Sequence, residues 1–321
     1  MNEINAVKNA VKKSKPPSKI KRTLSKSSFQ LYALCAIPAF LVFVFSYLPM
    51  FGVVIAFKNF TYNEGIFGSK WVGFKNFSFL MLSKDFTRIA WNTIYLNFIF
   101  IFVGMAVSVG VAIFLFSIKS RVGVKTYQTI WITPNFLSWV VAGYMAYALL
   151  NPERGMINVA LERMGIEGVQ WYSKPGLWPG ILTIFSTWKS FGMNSVIYYA
   201  ALMGIDSSLF EAAEIDGAKK WQITKSITLP CLTPIIVVMS ILAIGNIFRA
   251  DFGLFYQLTR DIGALYSTTD VMDTYIFRSM RVIGDFSISA AAGLLQSVVG
   301  FLLVILTNYC VGKIEPDNAL F

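Results

Sequence analysis

EAAEIDGAKKWQITKSITLP occupies residues 211–230. Glutamates and lysines crowd it and a glycine sits near its middle, yet apolar runs of membrane length flank it on both sides. Such a stretch does not belong inside a bilayer, so it reads as a polar, helix-forming loop at the membrane surface. Asp206-Ser207-Ser208 precedes it. Ser208 followed three residues later by Glu211 is a capping-box pattern and predicts a helix start there. Glu211 and Glu214 then fall in the first turns, where negative charge is favourable. Gly217 supplies the left-handed conformation that ends or turns a helix. A second helix is expected over 218–227, with Lys219, Lys220 and Lys225 exposed, and Leu229-Pro230 is expected to break it. The product is a helix–turn–helix hairpin whose small-residue crest, Ala212 and Ala213, allows another protein to approach closely. On these residues alone the alternative of an amphipathic hairpin resting on the interface stays open.

The rest of the chain supports a membrane setting. Of 321 residues, 55% are hydrophobic and only 14% charged, against about 25% charged in a soluble domain. Histidine is absent. That removes the commonest general base, metal ligand and physiological pH switch. Cys35, Cys231 and Cys310 lie in or beside apolar runs without CxxC spacing and read as small buried apolar residues. The net charge of +11 is uneven. Residues 1–28 carry eight lysines and arginines against Glu3, which predicts a disordered basic tail drawn to anionic lipid and not to nucleic acid.

A spanning helix needs about 20 mostly apolar residues. Six segments qualify, near 30–56, 92–117, 127–150, 177–203, 231–256 and 287–311. The third, fourth and fifth carry more polar groups and are expected to face protein or a cavity. Pro49 and Pro134 are expected to mark kinks. Lysine and arginine concentrate in 1–28, 118–126, 204–230 and 312–321. By the positive-inside rule these segments are cytoplasmic, and so are both termini and the 206–230 loop. The domain reading is a tail over 1–28, a six-helix membrane domain over 29–315 and a short tail over 316–321. On the outer side, residues 270–280 predict a short amphipathic helix lying on the membrane.

Catalytic signatures are missing. No GxxxxGK[ST] phosphate loop, GxSxG, HExxH or zinc-ligand cluster occurs. Polar residues within the spans are more informative. Lys189 falls midway along the fourth span, where a charge costs about 3 kcal/mol or more and must face a partner or a wet cavity. Trp188, Asn194, Tyr198 and Tyr199 lie on the same span, and Asn246 and Arg249 on the outer half of the fifth. Aromatic faces stack on sugar rings, and amide, ammonium and guanidinium groups bond hydroxyls. These seven residues are the expected substrate pathway. The competing reading pairs Lys189 with a carbonyl or acid of a neighbouring subunit.

Glu211-Ala212-Ala213, Gly217, Ile227, Leu229 and Pro230 match the pattern EAA, three residues, G, nine residues, I, one residue, LP. This resembles the coupling loop of the membrane subunits of binding-protein-dependent ABC importers. Over residues 30–315 the chain is similar to sugar permeases of the maltose-transporter type, in the LplB-like branch serving complex oligosaccharides. WVGFKNF (71–77), NPERGMIN (151–158), ADFGLFYQ (250–257) and DVMDTYIFR (270–278) carry that likeness. The resemblance implies a type I importer permease fold, all-α with six transmembrane helices, in the bacterial cell membrane. It implies a second homologous permease, two cytoplasmic ATPase subunits, an extracellular substrate-binding lipoprotein and a carbohydrate substrate. ATP and Mg would be bound by the ATPase and no cofactor by this chain, which would be a non-catalytic subunit. The loop would dock in a cleft of the ATPase, with Glu211, Ala213 and Gly217 as the main coupling positions.

Two other classes stay in view. An ion-coupled secondary transporter needs an ion site in the membrane, and Asp251 is the single acid within the six segments. A membrane enzyme acting on lipid-linked sugars would have Asp270, Asp273 and Asp285 as its candidates, and no motif joins them.

Overall fold

The computed structural model describes residues 26–314. Most of the basic tail and the whole of 316–321 lie outside the described residues. The chain divides between Phe51 and Gly52 into two units.

In the first unit, helix α1 (Lys26–Val42) contains Pro38. It widens to a π turn over Phe43–Tyr47 and then tightens to a 3₁₀ helix beginning at Leu48. The change at Leu48 is where the kink at Pro49 is expected. From Tyr32 to Phe51 this helix is almost wholly apolar, and its side chains there are exposed on nearly every face. That pattern suits a helix whose solvent is lipid.

The second unit opens with a two-residue antiparallel ribbon, β1 (Lys58–Asn59) against β2 (Lys70–Trp71). Helix α2 (Lys75–Leu82) follows. The longest helix, α3 (Lys84–Phe116), is N-capped by Ser83, whose hydroxyl accepts from the Phe86 N–H. Its 33 residues reach roughly 50 Å at 1.5 Å per residue. α3 packs along α7 (Trp178–Met203) in the most extensive helix pair of the fold.

Between them the expected third span is not one helix. α4 (Arg121–Ile132) ends in a 3₁₀ turn over Thr133–Phe136, and α5 (Trp139–Leu150) starts afresh. Pro134 ends the first piece, because it has no N–H to donate and its ring obstructs the preceding turn. Ser138 then caps the second, its hydroxyl accepting from the Val141 N–H. α6 (Met156–Arg163) lies beyond α5.

α8 (Ser207–Ile215) and the continuous helix α9 (Lys220–Gly245) follow α7. The fifth span ends sooner than the 231–256 reading, since backbone over 246–251 is irregular before α10 (Phe252–Thr259). α11 (Met272–Arg278) and α12 (Phe286–Ile314) complete the described residues. Four helices among the described residues are long and apolar enough to cross a membrane: Tyr32–Phe57, Asp85–Phe116, Lys220–Gly245 and Phe286–Lys313. α7 has the length but is more polar, and the remaining expected span is divided.

Three apolar clusters hold the second unit. Trp178, Leu182, Ala146, Phe255 and Leu258 centre one among α3, α5, α7 and α10. Leu80, Ile89, Met272 and Ala292 centre another among α2, α3, α11 and α12. Val109, Ala112, Tyr198, Leu202 and Leu232 form the third among α3, α7 and α9.

Two further expectations are corrected. The 270–280 segment does not lie on a surface: Val271 and Met272 are fully buried. Asp270 beneath them pairs with Arg278 and accepts from the Thr274 hydroxyl. Arg278 also reaches Asp261 at 3.0 Å. The three cysteines are free and exposed on the chain's surface instead of buried in it.

Candidate functional site

The 206–230 hairpin forms, with caps that differ from the sequence pattern. Asp206 is the N-cap of α8, its carboxylate accepting from the Ser208 N–H at 3.0 Å. That contact, with help from the Ser208 hydroxyl, holds the Asp206 carboxyl below the usual carboxylate range. The Ser208–Glu211 capping box is therefore not used: Ser208 already lies inside the helix.

Gly217 has φ +73° and closes α8 in a Schellman motif. The Ala218 N–H donates to the Ala213 carbonyl at 2.9 Å and the Gly217 N–H to the Glu214 carbonyl at 3.0 Å. Lys219 then starts the return limb, its backbone N–H donating to Gln222 Oε1 at 2.7 Å.

Leu229-Pro230 does not break that limb. The helix widens to a π turn over Thr224–Thr228 and runs through Pro230 into the fifth span. The Leu229 N–H reaches back to the Thr224 carbonyl. The wider turn loosens the packing that a proline ring disturbs in an α-helix.

Glu211, Ala212, Glu214 and Gly217 are exposed, while Ala213 is half-buried. Ile215 and Trp221, either side of the turn, are 86% and 71% exposed. The roots are packed: Phe210 meets Phe116 at the end of α3 with ring centroids 5.4 Å apart. Ile205 and Leu229 join the Val109–Leu232 cluster. Ile227 is half-buried beside them and Pro230 exposed. The hairpin thus offers a tip of acids, two lysines and apolar side chains on a base packed into the bundle.

A second feature lies deeper. The irregular segments 133–138 and 246–251 leave backbone groups that neighbouring side chains satisfy. Lys189 Nζ donates to the Asn135 carbonyl at 2.7 Å and lies 5.3 Å from the centre of the Trp139 ring. Asn97 donates to the Ile247 carbonyl at 2.9 Å, and Gln296 to that of Phe248 at 2.8 Å. Asp273 accepts from the Ala250 N–H and the Gln296 amide. Non-helical backbone at membrane depth is tolerated only when protein or a wet cavity satisfies it. Gly192 permits the closest approach here, since a Cβ on it would lie 1.9 Å from the Trp131 carbonyl oxygen at the end of α4.

The expected pathway residues do not share one cavity. Lys189 lines a cavity with Asn135, Trp139 and Asp251. Asn194 and Tyr198 line another between α3, α7 and α9, beside Phe100, Ser108 and Met239. Trp188 faces an apolar cleft with Leu149, Trp171 and Phe185. Asn246 and Arg249 border a cavity against α12. Tyr199 packs on the cluster at the hairpin's roots. Asn246 and Arg249 stand on the irregular segment and not on a helix of the fifth span. The Lys189 partner is a carbonyl of its own chain.

Sequence reasoning did not find Asn135, Trp139 and Asp251 as one polar junction. The signals were Pro134 followed by Ser138, and Asp251 as a potential cap. Of the acids weighed for chemistry, Asp270 is held by Arg278, Asp273 by two donors, and Asp285 accepts from the Ile288 N–H at 2.9 Å.

Comparison with known proteins agrees with this architecture. A family profile described as "Binding-protein-dependent transport system inner membrane component" matches residues 93–315. The chain is 31% identical to protein LplB of Bacillus subtilis (strain 168) over 286 residues, 89% of each chain. It is 32% identical over 302 residues, 94% of each chain, to the polygalacturonan/rhamnogalacturonan transport system permease protein YteP of the same organism. Among solved structures, it superposes with a TM-score of 0.81 on a chain of a bacterial ABC transporter involved in importing the acidic polysaccharide alginate. Identity there is 31%, covering 90% of this chain and 97% of that one. A chain of the bacterial alginate transporter in complex with an alginate pentasaccharide-bound periplasmic protein gives 0.81 at 30% identity, covering 92% and 98%.

Proposed function

The chain belongs to the inner membrane components of binding-protein-dependent transport systems, and from that premise we propose how it works as a carbohydrate-import permease. It forms half of the pathway, with a second homologous permease supplying the other half. An extracellular binding protein delivers the sugar. Two cytoplasmic ATPases hold ATP and Mg and supply the energy, so this chain carries neither catalysis nor cofactor. Six crossings are completed by α7 and by the divided α4–α5 pair, with both termini and the hairpin on the cytoplasmic side.

The observation that carries this reading is the hairpin: an exposed tip bearing Glu211, Glu214, Ile215 and Trp221 on roots packed into the bundle. Acids and a large apolar face suit a cleft lined by arginine and apolar side chains. Displacement of the tip would be passed to the Val109–Leu232 cluster through Ile205 and Leu229. That cluster includes Tyr198, which also lines the cavity between α3, α7 and α9. ATP-driven closure of the ATPases would therefore reshape the pathway. Lys189 and Arg249 remain the cations we assign to pathway polarity, and Trp188, Asn194, Tyr199 and Asn246 are assigned to it at separate points of the bundle.

The test is a pull-down of the chain from detergent-solubilised membranes, beside ATP-dependent uptake in reconstituted vesicles. A second permease and an ATPase should co-purify with the wild type. Glu211→Arg should lose the ATPase and uptake while inserting normally. Uptake that persists without ATP, driven by an ion gradient, would instead select a secondary transporter.

A further inference from the structure

The cleft between α5 and α10 is lined by Val140, Tyr144, Tyr147, Tyr256, Gln257 and Arg260, with Gly143 at its floor. Arg260 ends α10 in the left-handed region, φ 57°, and Asp261 follows at φ 50°. Two successive non-glycine residues there are uncommon, and such backbone tends to persist where surroundings or function require it. The turn lays the Arg260 guanidinium over the Tyr147 ring, 4.2 Å from its centre. Asp261 is not its partner, being engaged by Arg278 and by the Tyr266 hydroxyl.

Among the described residues Arg260 makes no ion pair and donates no hydrogen bond. The Gln257 amide and the hydroxyls of Tyr144, Tyr147 and Tyr256 likewise have no hydrogen-bond partner there. The other cavities differ. The Lys189 cavity contains the Asp251 carboxylate, and the Asn194–Tyr198 and Trp188 cavities have no charged group. Arg249 lies close enough to Asp273 to influence its carboxyl. Among the cavities described above, this one combines an unopposed cation, seated over an aromatic ring, with phenol hydroxyls and an amide that have no hydrogen-bond partner.

We infer that the α5–α10 cleft is a subsite for an acidic sugar residue, a uronate, with Arg260 gripping its carboxylate and the tyrosines holding the ring. A guanidinium meets a carboxylate with two parallel N–H donors, and its seat over the Tyr147 ring limits where it can do so. The exposed Tyr144 face suits the apolar side of a pyranose, and Gln257 and the phenol hydroxyls suit its hydroxyls. In the proposed orientation α5 and α10 are in the outer half of the membrane, so the subsite would be met early. This inference rests on the carbohydrate-permease reading and narrows its substrate to an anionic class.

The experiment uses the complete importer reconstituted in vesicles. The probes are labelled trigalacturonate, its methyl ester, which is uncharged but otherwise alike, and neutral maltotriose. Wild type should take up trigalacturonate in preference to the others. Arg260→Gln should cut that uptake at least tenfold at subsaturating probe, and Arg260→Lys should recover part of it, with the second permease still co-purifying. Equal trigalacturonate uptake by Arg260→Gln and wild type would overturn the subsite and leave the permease reading standing. Wild-type preference for the methyl ester or maltotriose would overturn the anionic class. Loss of the second permease from Arg260→Gln would make Arg260 an interface contact and overturn the subsite. ATP-dependent uptake of none of the three would overturn the inference, and failure of the pull-down as well would remove the reading beneath it.

Discussion

The indole N–H of Trp139 donates to the Asp251 carboxylate at 2.6 Å. Trp139 is the first residue of α5, and Asp251 caps α10 with its other oxygen, accepting from the Gly253 and Leu254 N–H groups. One carboxylate therefore fixes the start of two helices that each follow an irregular segment. Asp251→Ala should lower stability by about 1–2 kcal/mol, from the lost cap and the lost charged hydrogen bond. Trp139→Phe should cost less than Asp251→Ala, since it leaves the cap in place. In a double-mutant cycle the two losses should fall short of additive, read from thermal unfolding in detergent; strict additivity would show that the contact contributes nothing.

Lys189 carries the next prediction. Lys189→Met keeps the bulk but leaves the Asn135 carbonyl without its donor, at a cost of about 1–3 kcal/mol. The chain should still assemble, with a lower unfolding temperature and weakened uptake. An unchanged unfolding temperature would mean that water replaces the ammonium at no cost.

Substitutions at Gly217 should rank by their tolerance of positive φ. Asparagine visits the left-handed region readily, alanine pays about 1 kcal/mol and valine more. Coupling, measured as ATP-dependent uptake per assembled complex, should fall in the order Gly, Asn, Ala, Val. Indifference to the series would show that the Schellman turn is not required for docking.

The hairpin was legible in the sequence because glycine, acids and small residues each carry a local conformational preference. Its fine structure was not. Asp206 and Ser208 are both competent caps, and only the register of α8 decides between them. Leu229-Pro230 reads as a stop by local rules, and the π turn at Thr224–Thr228 that admits Pro230 has no sequence signature. The apolar runs were visible by length. Their interruption at 133–138 and 246–251 depends on Lys189, Asn97 and Gln296 arriving from other helices, information that lies far away in the chain.

Asp273 gives a pH prediction. Burial raises its carboxyl above the ordinary value, against the opposing hydrogen bonds from the Ala250 N–H and Gln296. The folded protein therefore holds this proton at pH values where the unfolded chain has released it. Stability attributable to Asp273 should fall as pH rises from the ordinary aspartate pKa through the raised one, and level off above it. Asp273→Asn should lack that slope. Unfolding temperatures of the two proteins across mildly acidic pH would check this, and parallel curves would contradict it.

The unbroken helix from Lys220 to Gly245 has a mechanical consequence. Its 26 residues make a rod of roughly 39 Å, so a 10° tilt about its Lys220 end would sweep the far end by about 7 Å. That far end abuts the irregular segment 246–251 and, through Asp251, the base of α10. The hairpin limb and the 246–251 segment are thus opposite ends of one crank, and the π turn near its grip is the place where it would flex.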